Sequence, residues 1–300
     1  MQRTKTHIRL RDEKIIPLGE RTRVMGILNR TPDSFSDGGV FWNEKKAFAQ
    51  VEEMLADGVD VIDIGGESTR PGSDSVDAKE EMRRIIPLVE AIKKRYDVLV
   101  SVDTVKGDVA QRAIDAGADI INDISGFRMD PTLLEVVAKT EVPVIMMHMQ
   151  GTPRTMQENP VYENVVTDVC AFLHDVAHHA MAHGVAKDKI IVDPGIGFGK
   201  TKDHNWQLIA GLEMLSELGF PVLMAASRKA FLRKLLMDIG DTDELSPLSP
   251  QVDLASHAVV VASILKGAHV VRVHDVKGAK IAASVADAIL CKGERHAVGD

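Results

Sequence analysis

Short, almost continuously apolar runs rich in β-branched residues recur along the chain at Val24–Leu28, Val59–Ile64, Val98–Val102, Asp119–Ile121, Val142–Met147, Lys189–Val192, Pro221–Ala225 and Val270–Val273. A strand with one wet face would alternate. Runs this uniform fit parallel strands covered on both faces. Between them the apolar positions fall at helical spacing, over Glu44–Ala56, Asp77–Arg95, Lys106–Ala116, Pro131–Lys139, Asn164–His183, Asn205–Leu218, Leu254–Lys266 and Ala279–Leu290. Gly117, Gly184, Gly219 and Gly267 each follow the end of such a segment, where a left-handed residue closes a helix. Repeated strand–helix alternation of this kind predicts an α/β protein, a (β/α)8 TIM barrel of one domain.

Residues 1–23 stand outside the alternation, and His7–Leu10 with Lys14–Leu18 predict a short N-terminal hairpin across the barrel's N-terminal face. The barrel is expected over 24–292, with 293–300 as a tail. Asp238–Pro250, acidic and proline-bearing, reads as an exposed loop between a short helix and the helix of the seventh repeat. No composition break marks a second domain.

Composition narrows the function. Aromatic residues make up only 4% of the chain, too few for a base-stacking surface. A net charge of -8 argues against a binder of nucleic-acid backbone. Neither observation excludes a single anionic small molecule in a locally basic pocket. No apolar run is long enough for a membrane helix, and the N-terminal MQRTKTHIRLRDEK has no apolar core of a secretory signal, so a cytoplasmic protein is expected. Cys170 and Cys291 form neither a disulfide framework nor a zinc pattern, and both read as small buried apolar residues.

Polar residues collect where the predicted strands end. Asn29 through Gly39 follows the first, Gly65 through Gly72 the second, Asp103-Thr104 the third and Asn122-Asp123 the fourth. His148 opens a long polar loop after the fifth, Asp193 through Lys200 follows the sixth, Ser227-Arg228-Lys229 the seventh, and Arg272, His274 and Asp275 mark the eighth. In a barrel these exits form one mouth, where active sites are built. A single acid there is more often a cap or a salt-bridge partner. Asp103, Asn122 and Asp193 on three exits together suit the donor and acceptor edge of a flat heterocycle. Arg70, Arg228, Lys229, Arg272 and His274 form a cationic group. Arg228 and Lys229 are expected to open a helix, in the region where this fold commonly binds phosphate.

Several familiar chemistries are missing. Gly195 through Lys200 fits neither nucleotide-loop spacing, and there is no HExxH, CxxC or GxSxG. His148, His178, His179 and His183 are not a metal set, since the last three fall on one exposed stretch of helix. Positioning and electrostatics are therefore expected to supply most of any catalysis.

The ordered segments carry a family resemblance. Met25 through Gly39 and Asp63 through Gly72 resemble two signatures of dihydropteroate synthases. Ser101–Thr104, Ile121–Gly126, Met147–Pro153, Asp193–Lys200, Ser227–Lys229 and Arg272–Val276 follow in the family's order. The resemblance implies joining 6-hydroxymethyl-7,8-dihydropterin pyrophosphate to p-aminobenzoate, with Mg²⁺ as cofactor, in a homodimer without nucleic-acid or membrane partners. It implies that Asp103, Asn122, Asp193 and Lys229 hydrogen-bond the pterin, with Met147 packed nearby and Arg272 stacked over it. Asp63, Thr69, Gly197 and Phe198 would lie around the same ring. Asn29 would help hold Mg²⁺ and the pyrophosphate, with Arg70, Arg272 and His274 at the leaving group. Phe35, Thr69, Arg70, Pro71, Phe198, Arg228, Lys229 and Ala230 would border the p-aminobenzoate pocket, over which the loops Thr31–Gly39 and Ser68–Gly72 would close.

Three positions depart from the family pattern. Arg30 replaces a small aliphatic residue, Ala230 stands where serine is common, and Arg233 replaces a frequent glycine at a position expected to be exposed. Three other readings compete. One is a catalytically silent pterin-binding paralogue, which Arg30 keeps open; another is a pterin-dependent methyltransferase, which would not need the Arg272/His274 group. The third, a sugar-phosphate barrel enzyme, leaves Asp103, Asn122 and Asp193 without a purpose.

Overall fold

The computed structural model describes residues 3–30, 40–69, 72–73, 75–240 and 242–297, with side chains not described at 40–44 and 293–297. Strands β1 (Thr6–Arg9) and β2 (Ile15–Leu18) pair antiparallel as the expected hairpin. The main sheet comprises β3 (Arg23–Asn29), β4 (Val61–Gly65), β5 (Leu99–Asp103), β6 (Ile120–Asp123), β7 (Val144–Met147), β8 (Ile190–Asp193), β9 (Leu223–Met224) and β10 (Val270–Val273). All pair parallel, in the order β8-β7-β6-β5-β4-β3-β10-β9, and a parallel bridge between Val192 and Val222 closes the ring.

The helices are α1 (Val40–Ala56), α2 (Ala78–Arg95), α3 (Gly107–Asp115), α4 (Thr132–Thr140) and α5 (Val165–Ala182), then α6 (Lys202–Ala210) and α7 (Glu213–Ser216). They continue with α8 (Ala230–Gly240), α9 (Pro250–Leu265) and α10 (Val276–Ala297). Two expectations need correction. The helix predicted over Asn205–Leu218 is two, broken at Gly211, where a Cβ would stand 2.9 Å from Val166 Cγ1. The helix after β9 starts at Ala230 and not at Arg228, which sits in the left-handed region at φ +57°.

The pleat explains why the strand runs look uniformly apolar. Outward positions such as Val24, Ile62, Val100, Val144, Ile190 and Val271 pack under the helices in one large core. Inward positions at the bottom of the barrel, including Met25, Val61, Ile120, Ile145, Ile191, Leu223 and Val270, form a second core. Ile8, Leu10 and Leu18 of the hairpin segment belong to that second core, so the hairpin plugs the barrel floor. Fully burying each such side chain contributes about 1.5–3 kcal/mol. Two buried cations fasten the plug. Lys189 Nζ donates to Leu10 O at 3.0 Å, and Arg3 donates to Thr22 Oγ1 at 2.6 Å and Asp287 Oδ1 at 2.9 Å. Farther along the same strands the inward residues turn polar, and there the site begins.

Candidate active site

Moving up each strand by two keeps a side chain inside the barrel. From Val61 the next inward residue is Asp63; from Leu99 come Ser101 and Asp103; from Ile120, Asn122; from Ile191, Asp193; and from Val270, Arg272 and then His274. Topology thus brings residues more than two hundred positions apart to one mouth. They surround a cavity of about 740 Å³ whose lining includes Asn29, Thr69, Asp103, Gly197, Phe198, Arg228, Lys229, Ala230, Arg272 and His274. Asp63, Asn122, Met147 and Asp193 lie just beneath, almost wholly buried.

Arg272 organises the floor. Its Nε donates to Asp63 Oδ2 at 2.6 Å and its Nη2 to Asp103 Oδ2 at 2.9 Å. Asn122 Nδ2 donates to the same Asp63 oxygen at 3.2 Å, leaving Asp63 Oδ1 buried without a protein partner. Burial pushes the Asp103 carboxyl up to about 7, against the pull of Arg272 and with a push from Asp63. Asp193 accepts from the Gly195 amide at 2.7 Å, and burial carries its carboxyl up to about 6. Lys229 Nζ lies 4.1 Å over the centre of the Phe198 ring, and burial together with Arg272 brings its ammonium down to about 8. Acids pushed up and a lysine pushed down in one cleft mark a site built for chemistry more than for stability.

The glycine-rich turn after β8 is a packing device for this site. Gly195 adopts φ +71°, and a Cβ there would stand 1.9 Å from His148 O. Lys200, itself buried, donates to Phe198 O at 2.9 Å and contacts His148 Nδ1 at 2.9 Å, fixing the backbone that carries the Phe198 ring. Tyr162 Oη donates to Gly199 O at 2.6 Å. The second strand exit is braced from behind: Lys106 bridges Glu67 and the buried Glu81, and Arg84 Nη1 donates to Gly66 O at 2.8 Å.

On the anion side, His274 Nδ1 lies 3.0 Å from Ser227 Oγ. Burial and the nearby Arg228, Arg272 and Lys229 hold the imidazole down to about 3. His274 is therefore neutral at pH 7 and not the cation expected from the sequence. Arg228 borders the cavity, yet its guanidinium is committed to Asp253 of α9 through Nε at 2.7 Å and Nη2 at 2.9 Å. Arg233, expected to be exposed, instead lines the cavity and is half-buried. Cys170 is buried as expected, whereas Cys291 is exposed on α10. His178, His179 and His183 are exposed, and no group of three His, Cys, Asp or Glu residues suited to a metal occurs among the described residues. Phe35, Arg70 and Pro71, with the loop Thr31–Gly39 and part of Ser68–Gly72, lie outside the described residues. Ser227 and Lys200 have no assigned role in the sequence, where only their places at strand exits mark them, and Arg233 stands out there only as a departure from the family pattern.

Comparison with known proteins agrees with this architecture. Residues 25–274 match the family model described as pterin binding enzyme. The dihydropteroate synthase of Haemophilus influenzae is 46% identical over 254 residues, covering 85% of this chain and 89% of that protein. Among solved structures, Yersinia pestis dihydropteroate synthase in a sulfonamide complex superposes with a TM-score of 0.86 at 42% identity, covering 96% of this chain and 100% of that one. The Xanthomonas albilineans dihydropteroate synthase with 4-aminobenzoic acid gives a TM-score of 0.84 at 40% identity, covering 95% and 98%.

Proposed function

The chain belongs to the dihydropteroate synthases within the pterin-binding enzyme family, and on that footing we propose that it condenses 6-hydroxymethyl-7,8-dihydropterin pyrophosphate with p-aminobenzoate, yielding 7,8-dihydropteroate and pyrophosphate. The carrying observation is that Asp63, Asp103 and Asn122 meet Arg272 on the floor of one cavity that Lys229 and His274 also line. Buried carboxylates accept from a pterin's amino and ring N–H groups, Asn122 both donates and accepts, and Lys229 donates to a ring acceptor. Such a set rejects rings lacking the complementary edge, because mismatched groups would stay unpaired in a dry site.

In the reaction the C–O bond to pyrophosphate breaks with its electron pair leaving on oxygen. Positive charge develops on the exocyclic methylene and spreads into the pterin. The neutral amine of p-aminobenzoate forms the new C–N bond and then loses a proton. No protein nucleophile is needed. Carboxylates Asp103 and Asp193 stabilise the electron-poor ring, while Arg272 and His274 stabilise the departing anion.

We infer a magnesium site at Asn29. The Asn29 amide is a hard, neutral oxygen at the end of β3, its Oδ1 3.4 Å from where a Cβ on Gly65 would lie. Mg²⁺ usually takes few protein ligands, keeping water and substrate phosphate for the rest. Asn29 would be the protein's ligand, and the metal would neutralise charge on the pyrophosphate. Thr69, Phe198, Lys229 and Ala230 line the same cavity and suit the aromatic ring and carboxylate of p-aminobenzoate. The same subsite would take sulfonamides.

We propose a homodimer through α9 and α10, a reading supported by exposed apolar side chains, Leu254 on the first and Ile281, Val285 and Ile289 on the second. A sedimentation mass of one 32.7 kDa chain would remove that assembly. No helix among the described residues is long and apolar enough to cross a membrane. The functional reading is tested by coupled pyrophosphate release. Release should require both substrates and fall on chelation of Mg²⁺; release without p-aminobenzoate, or none with both substrates, overturns it.

A further inference from the structure

The chain is acidic overall, yet the cavity is lined by seven lysines and arginines and only two acids among the described residues. Most of those cations are already engaged. Arg272 is held by Asp63 and Asp103, Lys200 by His148 and Phe198, Arg228 by Asp253, and Lys202 by Asp238, while Lys229 lies over Phe198. Lys234 is exposed, where water screens its charge.

Arg233 differs. It lies one turn into α8, lines the cavity, is half-buried, and its Nε is shut off from solvent with no acceptor. A guanidinium nitrogen in that position calls for an anionic or carbonyl oxygen. The side chain that opens the same helix, that of Ala230, is only a methyl group. The rotation of α8 is fixed by Phe231 and Leu232, both buried, with the Phe231 ring 4.6 Å from that of Trp206, so Arg233 is held towards the cavity.

Building on the functional reading above, we propose that Arg233 binds the carboxylate of the arylamine substrate and sets the preference for p-aminobenzoate over uncharged anilines. The chemistry of the cavity orders the two substrates. The acids and amide at the strand ends suit the heterocycle, Arg272 and His274 suit the pyrophosphate, and the cation on α8 is left for the second anion.

The test is steady-state kinetics of wild type, Arg233→Ala and Arg233→Lys with p-aminobenzoate and with its neutral isostere 4-aminobenzamide. Removing a charged hydrogen-bond partner should raise KM for p-aminobenzoate by about tenfold or more. Partial recovery is expected in Arg233→Lys, with KM for 4-aminobenzamide and for the pterin pyrophosphate unchanged within about twofold. An active wild type whose Arg233→Ala variant keeps its KM for p-aminobenzoate removes the assignment alone. So does an equal rise for both arylamines, or a rise confined to the pterin pyrophosphate. A wild type that releases no pyrophosphate with both substrates present removes the functional reading and this assignment with it.

Discussion

Replacing Asp193 by asparagine should make the folded protein more stable at pH 8 while disabling it. The carboxylate is 3% exposed, accepts from the Gly195 amide at 2.7 Å, and burial raises its pKa from 3.8 to about 6. A group whose pKa is higher folded than unfolded favours the native state only when protonated. Its contribution is complete below pH 3.8 and is lost as pH rises through about 6. The rise from 3.8 to about 6 corresponds to at most about 3 kcal/mol by pH 8, about half of that at pH 5, and almost nothing at pH 3. Asparagine keeps an oxygen for the Gly195 amide and carries no charge, so it should recover most of that sum.

For a domain of this size about 3 kcal/mol corresponds to roughly 5 °C or more in Tm. Thermal unfolding of wild type and Asp193→Asn at pH 5 and pH 8 should show the variant's advantage growing with pH. The same variant should lose at least about tenfold in kcat/KM, or about 1.4 kcal/mol of transition-state stabilisation. Equal stability at pH 8, or an advantage independent of pH, would refute the claim that burial of an ionised carboxylate dominates here. Near-wild-type kinetics would refute its role with the pterin.

Two further outcomes are expected. The wild-type kcat/KM should rise with pH through about 6 to 7 as Asp193 and Asp103 ionise, and fall above about 8 as Lys229 loses its proton; a flat profile from pH 5 to 9 sinks this assignment. Gly195→Ala should not yield folded protein, because its Cβ would meet His148 O at 1.9 Å, whereas Gly184→Ala, at φ +96° with open space around it, should lose only about 1–2 kcal/mol; equal urea midpoints for the two contradict the packing argument.

The barrel was legible because two packing environments impose one composition. In the lower half of the sheet, Val61 faces the barrel interior and Ile62 faces the helices, and both must be apolar. Asp63, inserted between Ile62 and Ile64, marks where the interior stops being dry core, and its fixed parity within the strand places it inside. Positions beyond the strands were less legible. Arg228 leaves the helical region at φ +57°, and Arg233 faces the cavity because Phe231 and Leu232 set the helix rotation. Neither geometry is encoded in local spacing. The helix break falls at Gly211, where a Cβ would press on Val166 of α5, a tertiary packing constraint that periodicity does not carry. Lys200 looks in sequence like a surface lysine after a glycine turn, yet its carbonyl and imidazole partners come from the folded loops around it.

The upper barrel also shows why so many polar groups can share one interior. Asp63, Asp103 and Asn122 would be too costly to bury separately, since an unpaired buried charge loses several kcal/mol of solvation. Arg272 links the two acids within 2.9 Å, and Asn122 joins through Asp63, so one cation serves the cluster. The compensation is incomplete, because Asp63 Oδ1 keeps no protein partner. An acceptor held dry and in place costs folding energy and favours a bound donor, since little need be reorganised on binding. The hairpin plug and the lower core fix the strands beneath this layer, and apolar burial there offsets the polar group left unpaired above it.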